Sequence, residues 1–474
     1  MATMNLNQYL REIQSSWESR SGTEVSELLS FNHPHVMSSK LTAEGFEKSA
    51  ERLVESPLDE LVILHLRCLN CVNQQKYLEA YSEQSALVQA FTKLFQTQKE
   101  DNWALFIMYV ISLDLRMFAI KADKELAKKG ADKPGQTLEK AAECLMGLFR
   151  VCAADNRSSD EDTKRWGMLY LVNQLFKIYF RINKLHLCKA LIRAIDASQF
   201  KDHFSLSQQV TYRYYVGRKA IFESDFKSAE KFLTYAFERC HRECRNNKRL
   251  ILIYLIPVKM LLGHLPTPHL LRKYDLLQFS EVVQAVREGN LRRLNNALLQ
   301  HDAFFIRCGV YLILEKLKVT TYRNLFKKVT LLMKTHQIPI EAYLEALKFM
   351  GVEDIDLDET QCIIANLIFE NKIKGYISNS HNKLVISKQN PFPPLAAIMK
   401  VCRGKEISVS SFNLFTLWCV DRPNPAASQA SGNFAGEAVA RQTSTCFSLK
   451  NNEIDRKELI NRIKNEFFTK LATI

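Results

Sequence analysis

Two stretches near the end of the chain carry several positive side chains and no acidic one. They are residues 318–334 (KVTTYRNLFKKVTLLMK) and 372–388 (KIKGYISNSHNKLVISK). Several cations on one surface suit phosphate groups, because each neutralised phosphate releases a condensed counterion. Arg323 and Lys327 are four residues apart and would share one helix face. The residues predicted to bind nucleic acid are Arg292, Arg293, Arg323, Lys327, Lys328, Lys372, Lys374, Lys383 and Lys388.

The residues around these cations predict the mode of binding. The expected helix 356–371 begins with acids and is apolar through its centre, whereas a helix that reads base edges should present Arg, Lys, Asn or Gln. We therefore expect contacts to the backbone with weak sequence selectivity. Tyr322 and Tyr376 are candidates for stacking on single-stranded bases, while Phe326 is expected to pack in the core. A solvated face is the alternative for each cluster taken alone, and the run 239–249 is a further basic candidate.

The sequence offers little support for catalysis or for a metal site. It contains no GxGxxG, GxxxxGK[ST], HExxH or GxSxG motif. Cys68 and Cys71 form an isolated CxxC, and a zinc site needs a second pair at suitable spacing, so buried thiols are favoured. His33 and His35 flank a proline with no carboxylate close in sequence. The chain is therefore predicted to be no enzyme and to use neither a cofactor nor a metal.

Composition and charge indicate the class of protein. Of the 474 residues, 65 are Lys or Arg and 51 are Asp or Glu, which gives a formal charge of +14. A surplus of this size suggests an acidic partner: nucleic acid, an anionic membrane or an acidic protein. The cysteines are spread through apolar stretches, which indicates free thiols in a reducing compartment. The apolar run 250–265 is too short to span a bilayer, and the N-terminus has no secretory pattern, so we expect an intracellular protein without membrane insertion.

A helical pattern recurs along the chain and predicts stacked helical hairpins. In 225–237 the apolar residues fall at i, i+3, i+4, i+7 and i+8, with Asp225 at the expected N-cap. Residues 183–195 repeat this stripe with Asn183 as the cap, and 290–298 repeat its start. Such hairpins stack into a solenoid, because none can bury its apolar face alone. An irregular helical bundle is the alternative.

The later part of the chain predicts a second type of module. Helices are expected at 322–334, 340–350 and 356–371, followed by β-prone runs at 374–378 and 383–387 around a polar turn. Three helices closed by a hairpin have the layout of a winged helix. The predicted fold is therefore all-α, with an α-solenoid of hairpins like tetratricopeptide repeats and a C-terminal winged-helix module with a small β-hairpin.

The predicted organisation has four segments. Residues 1–160 form an N-terminal helical region, 161–305 the helical hairpins, 306–395 the winged helix, and 396–474 a largely disordered tail. Part of this tail is rich in Ala, Ser, Gly and Gln, which favours disorder. Residues 452–471 regain an amphipathic pattern and are expected to form a lone helix.

Several strings of residues, in their order along the chain, resemble the PCI domain, a module shared by the proteasome lid, the signalosome and a translation initiation factor complex. They are YYVGRKAIFESDFKSAEKFLTYAFERC, VREGNLRRLNNAL, FFIRCGVYLILEKLKVTTYRNLFKKV and KGYISNSHNKLVISKQNPFPPL. The resemblance covers roughly residues 5–395 and stops near Ala396. It implies a helical-repeat array closed by a winged helix.

The resemblance also implies a function and a set of partners. The chain would be a non-catalytic scaffold subunit of a transcription-coupled messenger RNA export complex in the nucleus and at the nuclear pore, with a further pool in the cytoplasm. Its implied partners are a large PCI scaffold like the germinal-centre-associated nuclear protein, a small acidic disordered subunit shared with the proteasome lid, and RNA or DNA. The alternative is a purely structural PCI subunit of a lid-like or signalosome-like assembly that binds no nucleic acid.

Overall fold

Residues with high helix propensity fill most of the chain, and most of the structure is helical. The computed structural model describes residues 4–42, 44–98, 102–130, 135–156, 161–352 and 354–395. The chain divides into two compact units, Met1–Ile251 and Leu252–Ile474. The four-segment division predicted from the sequence stays a prediction, and the predicted tail with its lone helix lies outside the described residues.

The first unit is a succession of helices in which neighbours along the chain pack together. They are α1 (Leu6–Glu18), α2 (Gly22–Leu28), α3 (Phe46–Leu53), α4 (Leu58–Asn73), α5 (Tyr77–Thr97), α6 (Leu105–Lys128), α7 (Gln136–Ala153), α8 (Met168–Arg181), α9 (Cys188–Asp196), α10 (Leu206–Phe222) and α11 (Phe226–Arg239). The most extensive packing joins α4 with α5, α5 with α6, and α10 with α11. The buried apolar residues of α1 to α10 form one continuous core, as stacked hairpins require, and Phe232 of α11 packs against it. The division between the units falls inside the next helix, α12 (Arg245–Leu261).

The hairpin of α10 and α11 confirms the repeat pattern in detail. Asp225 is the N-cap of α11, and its carboxylate accepts the N–H of Ser228 at 3.1 Å. Leu233 is fully buried on the predicted stripe. A Cβ added to Gly217 would lie 2.7 Å from Cγ of Leu233, so glycine is what allows the two helices to approach this closely.

The prediction that Asn183 caps the next helix is wrong. Asn183 has a positive φ of 56°, and the N–H of Lys184 donates to the carbonyl of Tyr179, which ends α8 as a Schellman turn does. α9 begins only at Cys188, after a 3-10 turn. The same turn, with a positive-φ residue and an i to i−5 hydrogen bond, also ends other helices of the described chain, among them those that end at Gln75, Ser224 and Gly289.

The second unit contains shorter helices and a small sheet. Its helices are α13 (Pro268–Lys273), α14 (Ser280–Glu288), α15 (Leu291–Gln300), α16 (Asp302–Cys308), α17 (Tyr311–Glu315), α18 (Leu317–Met333), α19 (Ile340–Phe349) and α20 (Leu357–Phe369). Its strands are β1 (Gln337–Pro339), β2 (Gly375–Ser378) and β3 (Lys383–Ile386). The order α18, β1, α19, α20, β2, β3 is that of a winged helix, which confirms the predicted fold class. No helix in the described part of the chain has both the length and the apolar composition needed to cross a membrane.

The sheet has the antiparallel order β1-β3-β2, so the predicted hairpin is confirmed and has one more strand beside it. The sequence analysis missed β1 because three residues that include a proline show no alternation. The sheet and the three helices enclose a core in which the rings of Phe326 and Tyr343 lie 4.8 Å apart. The expected core position of Phe326 is confirmed.

Candidate nucleic-acid interface

All nine predicted cations lie in the second unit, on elements that the local sequence explains. Arg292 and Arg293 lie in the first turn of α15, where Asn290 caps the helix by accepting the N–H of Arg293 at 2.9 Å. Three more are on α18, and four lie in or beside the β2–β3 hairpin.

Six of the nine side chains reach solvent and have no ion pair within the described residues. Four of them are exposed and two are half-buried. They are named the open cations below: Arg292, Lys327, Lys328, Lys374, Lys383 and Lys388.

The prediction for Arg323 needs correction, because its guanidinium group points into the fold. The side chain is 7% exposed. One nitrogen donates to the carbonyls of Phe392 and Pro393 at 3.1 and 2.8 Å, and another donates to the side chain of Asn324 at 2.8 Å. Burial lowers the pKa of this guanidinium group from its ordinary value. The β2–β3 hairpin is called the wing below. Arg323 therefore binds the segment that follows the wing and cannot offer its charge to a phosphate.

Two further predicted residues are already paired with acids. Arg293 bridges Glu281 at 2.8 Å and Glu288 at 3.1 Å, and the hydrogen bond to Glu281 is the main cause of its raised pKa. Lys372 lies 2.6 Å from the carboxylate of Glu370. Both pairs neutralise the positive charge locally, so Arg293 and Lys372 are weaker candidates for a phosphate contact than the open cations, and their binding role stays a prediction.

The bonds of Arg323 nevertheless bring the two basic stretches together. Its carbonyl partners lie in the segment 391–393, and the N–H of Lys374 donates to the carbonyl of Pro391 in the same segment at 2.8 Å. Lys327 follows Arg323 by one helical turn. The segment 391–393 thus joins the cation-bearing helix α18 to the cation-bearing wing.

Helix α20 carries acids in place of cations, although it occupies the position of the helix that reads bases in a winged helix. Asp356 caps it by accepting the N–H of Glu359 at 2.7 Å, and Asp358 adds a further acid in the first turn. No Lys or Arg occurs along Leu357–Phe369. Acids at this end repel a phosphate backbone, so the open cations on α18 and the wing are the better polyanion surface.

Comparison with known proteins assigns the family. A protein-family model for the PCI domain matches residues 298–388, which contain α16 to α20 and the three strands. PCI domain-containing protein 2 of Xenopus laevis is 60% identical over 398 residues, which are 84% of this chain and 100% of that relative. The chain belongs to the PCI domain-containing protein 2 family.

Two other members of the PCI domain-containing protein 2 family are similar over most of their length. The protein of Danio rerio is 59% identical over 398 residues, again 84% of this chain and 100% of the relative. The homolog of Drosophila melanogaster is 50% identical over 393 residues, 82% of this chain and 99% of the relative. PCI proteins are generally non-catalytic scaffold subunits that assemble with other PCI subunits.

Of the two cysteines of the CxxC pair in this member of the PCI domain-containing protein 2 family, Cys68 is buried and Cys71 is half-buried. Cys68 is fully buried and its thiol donates to the carbonyl of Ala80 at 3.2 Å, which confirms the buried-thiol interpretation there. Burial raises the pKa of this thiol well above its ordinary value. Within the described residues, no group of three or more His, Cys, Asp or Glu is arranged to hold a metal ion.

His33 and His35 take part in a chain of imidazoles whose third member the sequence analysis missed. Nδ1 of His33 lies 2.8 Å from Nδ1 of His35, and Nε2 of His35 lies 3.2 Å from Nε2 of His65. Burial lowers the pKa of His35 to about 4 and that of His65 to about 3. His65 is 30 residues from His35 in sequence and no local pattern connects them.

Proposed function

We propose that this chain is a non-catalytic scaffold subunit of a nuclear complex that couples transcription to messenger RNA export, and that it binds nucleic acid through its winged helix. The observation that carries the proposal is the set of six open cations, of which five are on the winged helix and Arg292 is on α15, against Gly351. Open charges matter because a cation without an acidic partner can replace the counterions condensed on a polyanion without first breaking an ion pair. Nuclear and pore localisation are part of this proposal.

The protein partners in the proposal are a large PCI scaffold and a small acidic subunit. The second unit exposes large apolar side chains on consecutive elements: Leu299 on α15, Ile306 on α16 and Leu312 on α17, the last 72% exposed. Exposed apolar side chains on neighbouring helices suit a protein contact. The formal charge of +14 supports an acidic partner of either kind.

A purely structural PCI subunit of a lid-like or signalosome-like assembly is the second candidate. It is favoured by the same exposed apolar side chains and by the internal use of Arg293, Arg323 and Lys372. This candidate predicts that the winged helix contacts only protein, and that changes in the open cations affect co-purification alone.

Charge reversal in the full-length protein separates the two candidates. The variant combines Lys327→Glu, Lys374→Glu, Lys383→Glu and Lys388→Glu, and binding to RNA and DNA oligonucleotides is measured by fluorescence anisotropy over a range of salt. If all four contact phosphates, the slope of log K against log salt falls by about 3, since each contact on a single strand contributes about 0.7. Arg307→Glu, at an exposed cation on α16 outside this set, is the matched control and should leave the slope nearly unchanged.

Two results would contradict nucleic-acid binding: no salt-dependent binding by the unaltered protein, or an unchanged slope in the fourfold variant. Co-purification from nuclear extract with mass spectrometry tests the complex. The proposal expects a large PCI scaffold together with a small acidic protein. Recovery of proteasome-lid or signalosome subunits in their place would favour the second candidate.

A further inference from the structure

The sheet of the winged helix has one buried face and one open face. Ile338, Leu384 and Ile386 point into the core. Because side chains alternate along a strand, the residues between them point outward. The pairing registers arrange these outward residues in two rows across the sheet: Gln337, Val385 and Tyr376 in one, and Pro339, Lys383 and Ser378 in the other. These two rows are called the open sheet face.

An unusual aromatic side chain lies on the open sheet face. Tyr376 is 61% exposed, whereas Tyr343 in the same module is fully buried and its hydroxyl lies 2.9 Å from that of Thr330. Within the described residues Tyr376 has no ring or cation–π contact. A large apolar ring held in solvent on a rigid strand is available to stack on a planar ligand.

Two open cations flank this ring. Lys374 precedes Tyr376 by two residues, and its carbonyl accepts the N–H of Ser387 at 2.9 Å, so the strand pairing extends to it. Lys383 lies in the neighbouring row, diagonal to Tyr376. Residues two apart on a strand, and diagonal neighbours on paired strands, are about 7 Å apart. Both ammonium groups can therefore reach the backbone of a chain whose base covers the ring.

The local sequence explains why strand β2, which carries this ring, lies close to β3 and has no acid beside it. A Cβ added to Gly375 would lie 2.4 Å from the carbonyl oxygen of Val385, so a glycine lets β2 approach β3 closely just before Tyr376. The stretches 334–340 and 372–390, which supply the sheet and its turns, contain no acid. The open sheet face therefore combines an aromatic platform, two cations and no repulsive charge.

We propose that the open sheet face binds a single strand of RNA or DNA, with one base stacked on Tyr376 and the adjoining phosphates contacted by Lys374 and Lys383. This inference rests on the proposed nucleic-acid function and names its substrate class. A base in a duplex has its faces covered by its neighbours, so stacking selects unpaired bases. The acidic start of α20 gives no compensating contact to a duplex groove.

The test compares an oligouridine and a blunt-ended duplex of equal phosphate number, each labelled with a fluorophore, on the full-length protein. Tyr376→Ala is expected to weaken oligouridine binding by roughly 5- to 150-fold, the range for one base–aromatic stack, and to leave duplex binding nearly unchanged. Tyr376→Phe keeps the ring and should bind like the unaltered protein. Phe369→Ala removes a similarly exposed ring, 64% exposed on α20, and should have no effect.

The outcomes separate this inference from the function on which it rests. If the unaltered protein binds neither probe, the proposed nucleic-acid function fails. If it binds both and Tyr376→Ala weakens them equally or not at all, the stacking inference is overturned while nucleic-acid binding stands. Loss in Tyr376→Phe as large as in Tyr376→Ala would also overturn stacking, because the hydroxyl and not the ring would then be the contact.

Discussion

The α10–α11 hairpin of the first unit and the wing of the second both combine basic and aromatic residues, but they use them differently. In the hairpin, Arg218 lies over the ring of Phe180 at 4.6 Å, and Arg213 lies 5.4 Å from the rings of Phe232 and Tyr235. In the wing, Tyr376 has no such cation over it within the described residues.

The difference shows that composition alone does not identify a binding surface. The basic run 239–249 was a candidate on its charge, yet Arg239 lies over Tyr235 at 6.0 Å and Lys248 lies over Phe237 at 5.0 Å. Such cations already interact with the protein's own rings, which contributes to stability. The wing is the better candidate because Lys374, Lys383 and Lys388 have no ion-pair partner, and Tyr376 no ring partner, among the described residues. Substitution of a buried cation should therefore lower the stability of the fold, whereas substitution of an open cation should weaken the binding of nucleic acid.

Arg323 gives the largest expected effect, because it is an inward cation inside the basic module. Arg323→Ala removes a charged donor and leaves two buried carbonyls without a partner, so the free energy of unfolding should fall by about 3 kcal/mol. Lys327→Ala replaces an open cation one helical turn away and should change the free energy of unfolding by less than about 0.5 kcal/mol. Urea unfolding of the full-length proteins measures both.

Arg323→Lys sharpens this prediction. A lysine cannot reproduce the fork that reaches Phe392, Pro393 and Asn324 together, so it should recover only part of the stability. The assignment of Arg323 to the interior would be wrong if Arg323→Ala unfolded like the unaltered protein but bound RNA more weakly than Lys327→Ala.

The sequence predicted features that depend on neighbours a few residues apart. The cap at Asp225, the helix expected from residue 356 and the β2–β3 hairpin are all found where the local pattern placed them. The role of Arg323 could not be predicted, because the carbonyls that it binds are 69 and 70 residues further along the chain.

The ion pairs of Lys372 and Arg293 have a local signal in the sequence. Glu370 stands two residues before Lys372, just outside the acid-free stretch 372–388, and Glu288 stands five residues before Arg293. A basic stretch should therefore be judged together with the turn that precedes it. The open sheet face depends on strand register, and a polar turn alone does not fix which side of the sheet Tyr376 occupies.

Two histidines and one aspartate buried in the first unit, His35, His65 and Asp114, predict a pH-dependent stability. His35 and His65 have pKa values lowered by burial from 6.5, so between about pH 5 and 6 the unfolded chain binds two protons that the folded chain does not. Stability from these groups is therefore lost as the pH falls. Burial raises the pKa of Asp114 from 3.8 to about 7, so in this window the folded chain holds one proton that the unfolded chain lacks.

The net difference is one proton, and the free energy of unfolding should fall by about 1.4 kcal/mol per pH unit on acidification in this window. Asp114→Asn removes the opposing proton, so the slope should double to about 2.8 kcal/mol per pH unit. Urea unfolding at several pH values measures both slopes. A flat profile in the unaltered protein would mean that these imidazoles are not held neutral in the fold.

The smallest expected effect comes from the arginines that lie over aromatic rings in the first unit. The double variant Arg213→Gln, Arg218→Gln removes the cation–π contacts of both side chains and should lower the free energy of unfolding by about 1 kcal/mol. Its salt slope for oligouridine should equal that of the unaltered protein, because neither charge is proposed to contact phosphate. A slope reduced by about 1.4, the value for two lost phosphate contacts on a single strand, would show that the first unit binds the polyanion as the wing does.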